Sequence, residues 1–343
     1  MNARGGAAAA AGRHCAVPLV TDVKRHSLED GPGIRSVVFF KGCPLRCVFC
    51  QNPETQRPQA EVAFSEAECV RCGACERACR RGAIDMQSPG RIARSRCDGC
   101  LACAAACPGR GLRAIGRYLS PPALAALLLR DRAFYRHSGG GVTLSGGEPT
   151  LFPDFLEALL PRLRGDGVHV ALQTCGDFEY DEFAARILPH LDLIFFDVKI
   201  VAPEAHRRHL GAGNGRILGN LRRLIREAAV PVHPRIPLVP GITDGLDNLS
   251  SAVRLLRSAG ATDVALLPYN PLGLGMAARL GRPAPPLPAT FVDPGAERAL
   301  FQAFRGLLDE PAHGRPAEGE PRWVEPRTRP GQERQDERRE HPP

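Results

Sequence analysis

Cys43, Cys47 and Cys50 lie within Lys41-Gly42-Cys43-Pro44-Leu45-Arg46-Cys47-Val48-Phe49-Cys50-Gln51-Asn52, a CxxxCxxC spacing. Three thiolates fall short of the four irons of an iron–sulfur cube. Four cysteines close such a cluster. Three leave one iron open, as a catalytic zinc keeps a position that a structural zinc lacks. An open iron can bind a substrate and reduce it.

Eight further cysteines form two runs, Cys69-x2-Cys72-x2-Cys75-x3-Cys79 and Cys97-x2-Cys100-x2-Cys103-x3-Cys107-Pro108. This is the two-cluster ferredoxin spacing, in which the fourth cysteine of each run ligates the other cluster. Cys69, Cys72, Cys75 and Cys107 are thereby expected on one cube, and Cys97, Cys100, Cys103 and Cys79 on the other. Paired zinc sites are the alternative, but zinc knuckles seldom pack four cysteines into eleven residues twice. Closed cubes carry electrons and do no chemistry on a substrate.

The elements that must position these cysteines are six strand-like runs: Arg35–Lys41, Gly141–Ser145, Val168–Thr174, Asp192–Val198, Val230–Ile236 and Asp263–Leu267. The later ones are nearly continuous apolar runs, as strands buried on both faces are. Helical periodicity marks Pro121–Arg130, Phe155–Leu163, Tyr180–Ile187, Arg216–Ala228, Leu246–Ser258 and Ala296–Leu308. The alternation predicts an α/β fold with a parallel sheet, an open (β/α)6 barrel at residues 18–60 and 118–310. Residues 61–117 read as an insert in its first connection. Residues 1–17 and the Pro/Arg/Glu-rich stretch 311–343, whose one large apolar residue is Trp323, are expected to be disordered tails.

A barrel's active site lies at the C-terminal ends of its strands, and the triplet directly follows the first one. This placement argues against a zinc fragment or three core cysteines. Other candidates share that edge. Ser145-Gly146-Gly147-Glu148-Pro149 ends the second strand; paired glycines let backbone approach a ligand closely, and Glu148 could accept hydrogen bonds from an ammonium group. An ordinary turn is the alternative. Gln173-Thr174-Cys175-Gly176 ends the third strand, where Cys175 reads as a buried small residue. Asp197-Val198-Lys199 ends the fourth, and Arg235 and Asn270 sit at or just beyond the fifth and sixth.

Composition narrows the class further. The net charge is +8, yet only Lys24, Lys41 and Lys199 of the 45 basic residues are lysines, and the arginines are spread throughout. That pattern argues against a nucleic-acid-binding patch. No stretch is long and apolar enough to span a bilayer, and cysteines clustered at metal-ligand spacing suit a reducing cytoplasm.

With CxxxCxxC after strand one and GGEP after strand two, the chain resembles the radical S-adenosylmethionine superfamily, and more closely the glycyl-radical enzyme activating enzymes. Asp30-Gly31-Pro32-Gly33-Ile34-Arg35, Gly42 to Glu54, Ser145 to Pro149, Asp197-Val198-Lys199 and Leu267-Pro268-Tyr269-Asn270 carry the resemblance. It implies a catalytic [4Fe-4S] cluster on Cys43, Cys47 and Cys50, whose open iron is chelated by S-adenosylmethionine, and three clusters in all. Backbone from Phe49 through Cys50 to Gln51 would pass the adenine. Gly146 and Gly147 would contact the methionine end, and Asp197, Val198 and Lys199 would reach the cofactor from strand four. Gln173 stands where members commonly have an acidic residue, and Asn270 where they have a histidine. The implied reaction is reductive cleavage of the cofactor to a 5′-deoxyadenosyl radical, which takes a hydrogen from a glycine Cα of a partner glycyl-radical enzyme. A reduced flavodoxin or ferredoxin would supply the electron, to which ten arginines against six acids in residues 61–117 are electrostatically suited. Two other readings stay open at this point: a related enzyme acting on a small molecule or another peptide, and a ferredoxin-type electron carrier.

Overall fold

The computed structural model describes residues 17–309 and the backbone of 322–323. Its strands are β1 Leu19–Ser27, β2 Arg35–Lys41, β3 Glu61–Phe64, β4 Leu112–Ile115, β5 Arg117–Tyr118, β6 Gly141–Gly146, β7 His169–Thr174, β8 Leu193–Asp197, β9 Val232–Pro237, β10 Asp263–Leu267 and β11 Arg322–Trp323. The helices are α1 Ala74–Ala78, α2 Ala102–Ala105, α3 Pro121–Leu129, α4 Arg132–Ser138, α5 Pro153–Gly165, α6 Tyr180–Arg186, α7 Pro203–Leu210, α8 Gly215–Glu227, α9 Leu246–Ala259, α10 Leu272–Arg279 and α11 Pro294–Asp309.

Nine strands form one sheet in the order β11-β10-β9-β8-β7-β6-β2-β1-β5. From β2 through β10 every pairing is parallel. These six strands are the partial barrel, and β10 does not pair back onto β2. Period-two alternation sorts their side chains. On β8, Ile194 and Phe196 are fully buried on the helix side, while Phe195 and Asp197 face the lumen and are part-exposed. Leu156, Leu159, Leu160 and Leu163 of α5 recur at helical spacing and are buried in the same core.

The edge strands differ from expectation. β1 was not expected, because LVTDVKRHS lacks an apolar run. It pairs antiparallel with β2 through two irregularities in register, so β2's free edge is what holds it. β11 pairs parallel with β10, Asp263 opposite Arg322. The segment expected to be tail therefore supplies a short strand that covers the other edge. The rest of the expected tails, 1–16 and 310–343 apart from β11, lies outside the described residues.

Residues 61–115 build a small separate core. β3 and β4 pair antiparallel, and Val62, Phe64, Cys75, Ile84, Ile92, Cys103 and Leu112 pack beneath them. Contacts with the barrel centre on Glu61 and Arg94. Lys41 Nζ donates to Glu61 Oε2 at 2.7 Å, and Arg282 reaches both oxygens of Glu61 at 3.1 Å. Arg94 donates to the carbonyls of Val62 and Arg279.

Candidate active site

The triplet loop leaves β2 through Gly42, whose φ of +131° only glycine adopts easily. Gly42 N donates to Thr55 O at 2.7 Å, and Glu148 N donates to Gly42 O at 2.7 Å. Cys43 N donates to Gln56 O, while Gln56 Nε2 donates to Cys47 O at 3.0 Å. Arg46 N and Val48 N donate to Leu210 O and His209 O at the end of α7. Across the loop, a Cβ on Gly273 of α10 would lie 2.3 Å from Cys50 O. The three cysteines are thus fixed by neighbours on four separate segments.

Gly146 at the end of β6 and Gly147 after it are each required by a close backbone approach. A Cβ on Gly147 would meet Gly42 O at 2.0 Å, and one on Gly146 would meet Phe40 N at 2.4 Å. They let two strand ends approach each other, which brings GGEP against the triplet loop. The Glu148 side chain, expected as an acceptor for an ammonium group, is turned inward. Glu148 is 0% exposed. Its carboxylate accepts from Thr150 N, Thr150 Oγ1, Thr174 Oγ1 and Cys175 N, the last at 2.7 Å. Three of these donors meet Oε1 and Cys175 N meets Oε2, so the carboxylate braces the ends of β6 and β7.

That brace places Cys175 beside Cys43. Hydrogen bonding from Cys175 holds the Cys43 thiol below its ordinary value, against the upward push of burial. Cys175 itself is driven well up by the bond to Cys43 and by burial. The sequence reading missed this contact; the available signal was that Cys175 follows β7 on the triplet's own edge. Burial also pushes Cys47 up, and Cys50 up to about 11. Burial disfavours bare thiolates at Cys47 and Cys50, and a bound cluster would supply the missing positive charge. Three soft sulfur donors in one pinned loop fit an iron–sulfur cube.

Strand four supplies charge. Asp197 Oδ2 accepts from Lys199 Nζ at 3.0 Å, and Oδ1 accepts from Arg235 Nη2 at 2.8 Å. Burial raises the Asp197 carboxyl, yet Lys199 and Arg235 outweigh it and the net shift is downward. Burial likewise lowers Lys199, but Asp197 and the neighbouring thiols carry it above its ordinary value. The Arg235 guanidinium lies 4.8 Å over the Phe195 ring. Asp197 and Lys199 share the mouth, whereas Val198 points into the core and its N–H is taken by Arg235 O. A side-chain contact from Val198 to a bound cofactor is therefore excluded by strand alternation. Phe49 is also in the core, beside an exposed Gln51. Asn270 Oδ1 accepts from Leu272 N at the start of α10, which leaves its NH2 as donor. Gln173 accepts from Ser145 Oγ and donates to Asp30 Oδ1 at 3.0 Å.

In the insert, one pocket is lined by Cys69, Cys72, Cys75 and Cys107, the grouping that the spacing predicts, together with Arg91 and the apolar Phe64, Val70 and Leu112. Cys103 is pushed up to about 11 by burial and by the nearby Cys97, with Cys79 adding to it. Cys79 therefore stands with the second run. Cys100 is exposed, and all eight cysteines are free of disulfides. Soft sulfur donors grouped in this way are of the kind a closed iron–sulfur cube would take.

Comparison with known proteins places this geometry. The radical SAM superfamily profile matches residues 88–250, and a 4Fe-4S single cluster domain matches 29–80. The isethionate sulfite-lyase activating enzyme of Desulfovibrio desulfuricans is 38% identical over 275 residues, 78% of this chain and 88% of that one. The indoleacetate decarboxylase activating enzyme of Tractidigestivibacter scatoligenes is 36% identical over 276 residues, 77% and 86% of the two chains. Among solved structures, Streptococcus suis SuiB bound to precursor peptide SuiA superposes with a TM-score of 0.50 at 9% identity, covering 82% of this chain and 46% of that one; the likeness is one of fold. With identity at this level across most of both chains, the chain belongs to the glycyl-radical enzyme activating enzymes of the radical SAM superfamily.

Proposed function

We propose that the protein activates a glycyl-radical enzyme, using three [4Fe-4S] clusters and S-adenosylmethionine. The observation that carries this reading is the triplet Cys43, Cys47 and Cys50, pinned at the C-terminal edge of a partial barrel in a chain whose relatives are such activators. When bound, the cluster and S-adenosylmethionine would supply the one-electron reductive chemistry that ends in removal of a hydrogen atom from a glycine Cα of the partner.

The chain's own residues hold and orient. Cys43, Cys47 and Cys50 ligate the catalytic cluster. Backbone at Phe49, Cys50 and Gln51 would hold the adenine, and backbone at Gly146 and Gly147 would hold the methionine end. Asp197, flanked by Lys199 and Arg235, meets the cofactor's polar groups, and the Asn270 amide donates at the opposite side. Glu148 acts by bracing. The open side of the six-stranded barrel admits the partner's glycine loop, and the packed core on its other faces excludes water.

Residues 61–117 form the ferredoxin-like unit of a barrel made by 18–60 and 118–310. Its two cubes, on Cys69, Cys72, Cys75 and Cys107 and on Cys97, Cys100, Cys103 and Cys79, relay electrons from a reduced flavodoxin or ferredoxin. No helix among the described residues is long and apolar enough to cross a membrane; the reducing cytoplasm is the proposed setting. Anaerobic incubation with S-adenosylmethionine and reductant tests the reading. It expects 5′-deoxyadenosine from the wild type and none from Cys43→Ala with the insert clusters retained; equal release by the variant would overturn it.

A further inference from the structure

Arg91 occupies an unusual position in the insert. It is 3% exposed and lines the pocket formed by Cys69, Cys72, Cys75 and Cys107. Among the described residues its side chain forms no ion pair with a carboxylate. Its Nη1 donates to Met86 O, its Nη2 lies 4.0 Å from Cys69 Sγ, and the guanidinium stacks 5.1 Å over the Phe64 ring. Among the described residues Nε has no hydrogen-bond partner. Buried charges are ordinarily paired, and an unpaired guanidinium in an apolar pocket is costly. The backbone adds a second, independent signal. Arg91 sits at φ +59°, the left-handed region that a bulky residue occupies only when its surroundings enforce it.

Four thiolates on a [4Fe-4S] core leave the cube net negative, which is the counter-charge the guanidinium lacks. We infer that Arg91 is the built-in counterion and N–H donor of the cube on Cys69, Cys72, Cys75 and Cys107, and raises that cube's reduction potential. The inference rests on the assignment of cubes to the insert. Net charge and hydrogen bonds to sulfur are the levers that tune such potentials. A fixed cation favours the reduced, more negative state, so this cube takes an electron more readily than it would without Arg91. Beside the second run, Arg94 is half-buried and near Cys97, but its Nη atoms donate to the carbonyls of Val62 and Arg279, whereas Arg96 is exposed.

The test is an EPR-monitored redox titration of the anaerobically reconstituted full chain. Arg91→Leu is expected to lower the potential of one insert cube and leave the other unchanged. The expected size is at least a tenfold fall in its reduced-to-oxidised ratio at fixed potential, 59 mV for one electron. Arg91→Lys, which keeps the cation, is expected to recover most of the shift. Both cubes at wild-type potentials in Arg91→Leu, or a Lys variant as low as the Leu variant, would overturn the inference. If the Leu variant fails to assemble its clusters, Arg91→Gln carries the same comparison under the same criteria. Absence of insert clusters from the wild type by iron count would instead remove the cluster assignment itself.

Discussion

Glu61→Gln is the perturbation that most sharply tests how the insert is held to the barrel. Lys41 is 0% exposed, and its Nζ lies 2.7 Å from Glu61 Oε2 and 2.6 Å from Glu54 O. Arg282 lies 3.1 Å from both Glu61 oxygens. At an effective dielectric near 20, a pair at that separation attracts by roughly 6 kcal/mol, most of which offsets the desolvation of Lys41. Removing the carboxylate leaves that desolvation uncompensated, which costs about 3–5 kcal/mol when one partner of a buried pair is lost. The pH dependence supplies a signature. Burial already lowers the Lys41 pKa from 10.5, partly countered by Glu61. Without Glu61 it falls further, so the unfolded state binds more protons than the folded one over a wider alkaline range, and stability rises with pH there. Anaerobic urea unfolding of the variant should show the deficit at pH 7 and a smaller one near pH 10. A loss below about 1 kcal/mol at pH 7, the range of an exposed pair, would refute the reasoning, as would a loss that does not change with pH.

Other outcomes follow from the same contacts. Gly147→Ala drives a methyl into Gly42 O and should cost about 1–3 kcal/mol with loss of iron from the triplet; a wild-type denaturation midpoint and iron content would contradict it. Asp197 has a depressed carboxyl, so its contribution is present above the ordinary carboxylate range and disappears as pH falls through its folded value. Asp197→Asn should therefore cost about 2 kcal/mol at pH 7 and progressively less below pH 4, measured by unfolding across that window; a constant difference would count against it. Deleting residues 61–117 should slow reduction by a flavodoxin or ferredoxin while dithionite still drives cofactor cleavage; an unchanged rate with the protein donor would make the insert structural.

The six barrel strands were legible from local composition: β2, β6 and β7 are buried along most of both faces, and β8, β9 and β10 alternate buried with part-exposed residues. β1 was not, since its polar residues are held by the free edge of β2. α10 escaped because Gly273 and Gly275 depress helix propensity, and Gly273 is there for its approach to Cys50 O. Cysteine spacing carried the candidate metal sites, a local signal. The Glu148 brace is a set of contacts across 26 and 27 residues, and the Gln173–Asp30 bond spans 143. No local pattern encodes such pairings. Cys175 looked like filler because its neighbour Cys43 lies on another strand end.

The most direct test of the central claim is EPR on a glycyl-radical enzyme incubated anaerobically with this protein, S-adenosylmethionine and reductant. The account predicts a glycyl radical signal on the partner, one 5′-deoxyadenosine formed per radical, and loss of both with Cys43→Ala. A partner radical that persists in that variant, or 5′-deoxyadenosine release with no radical on any glycyl-radical enzyme, would contradict it.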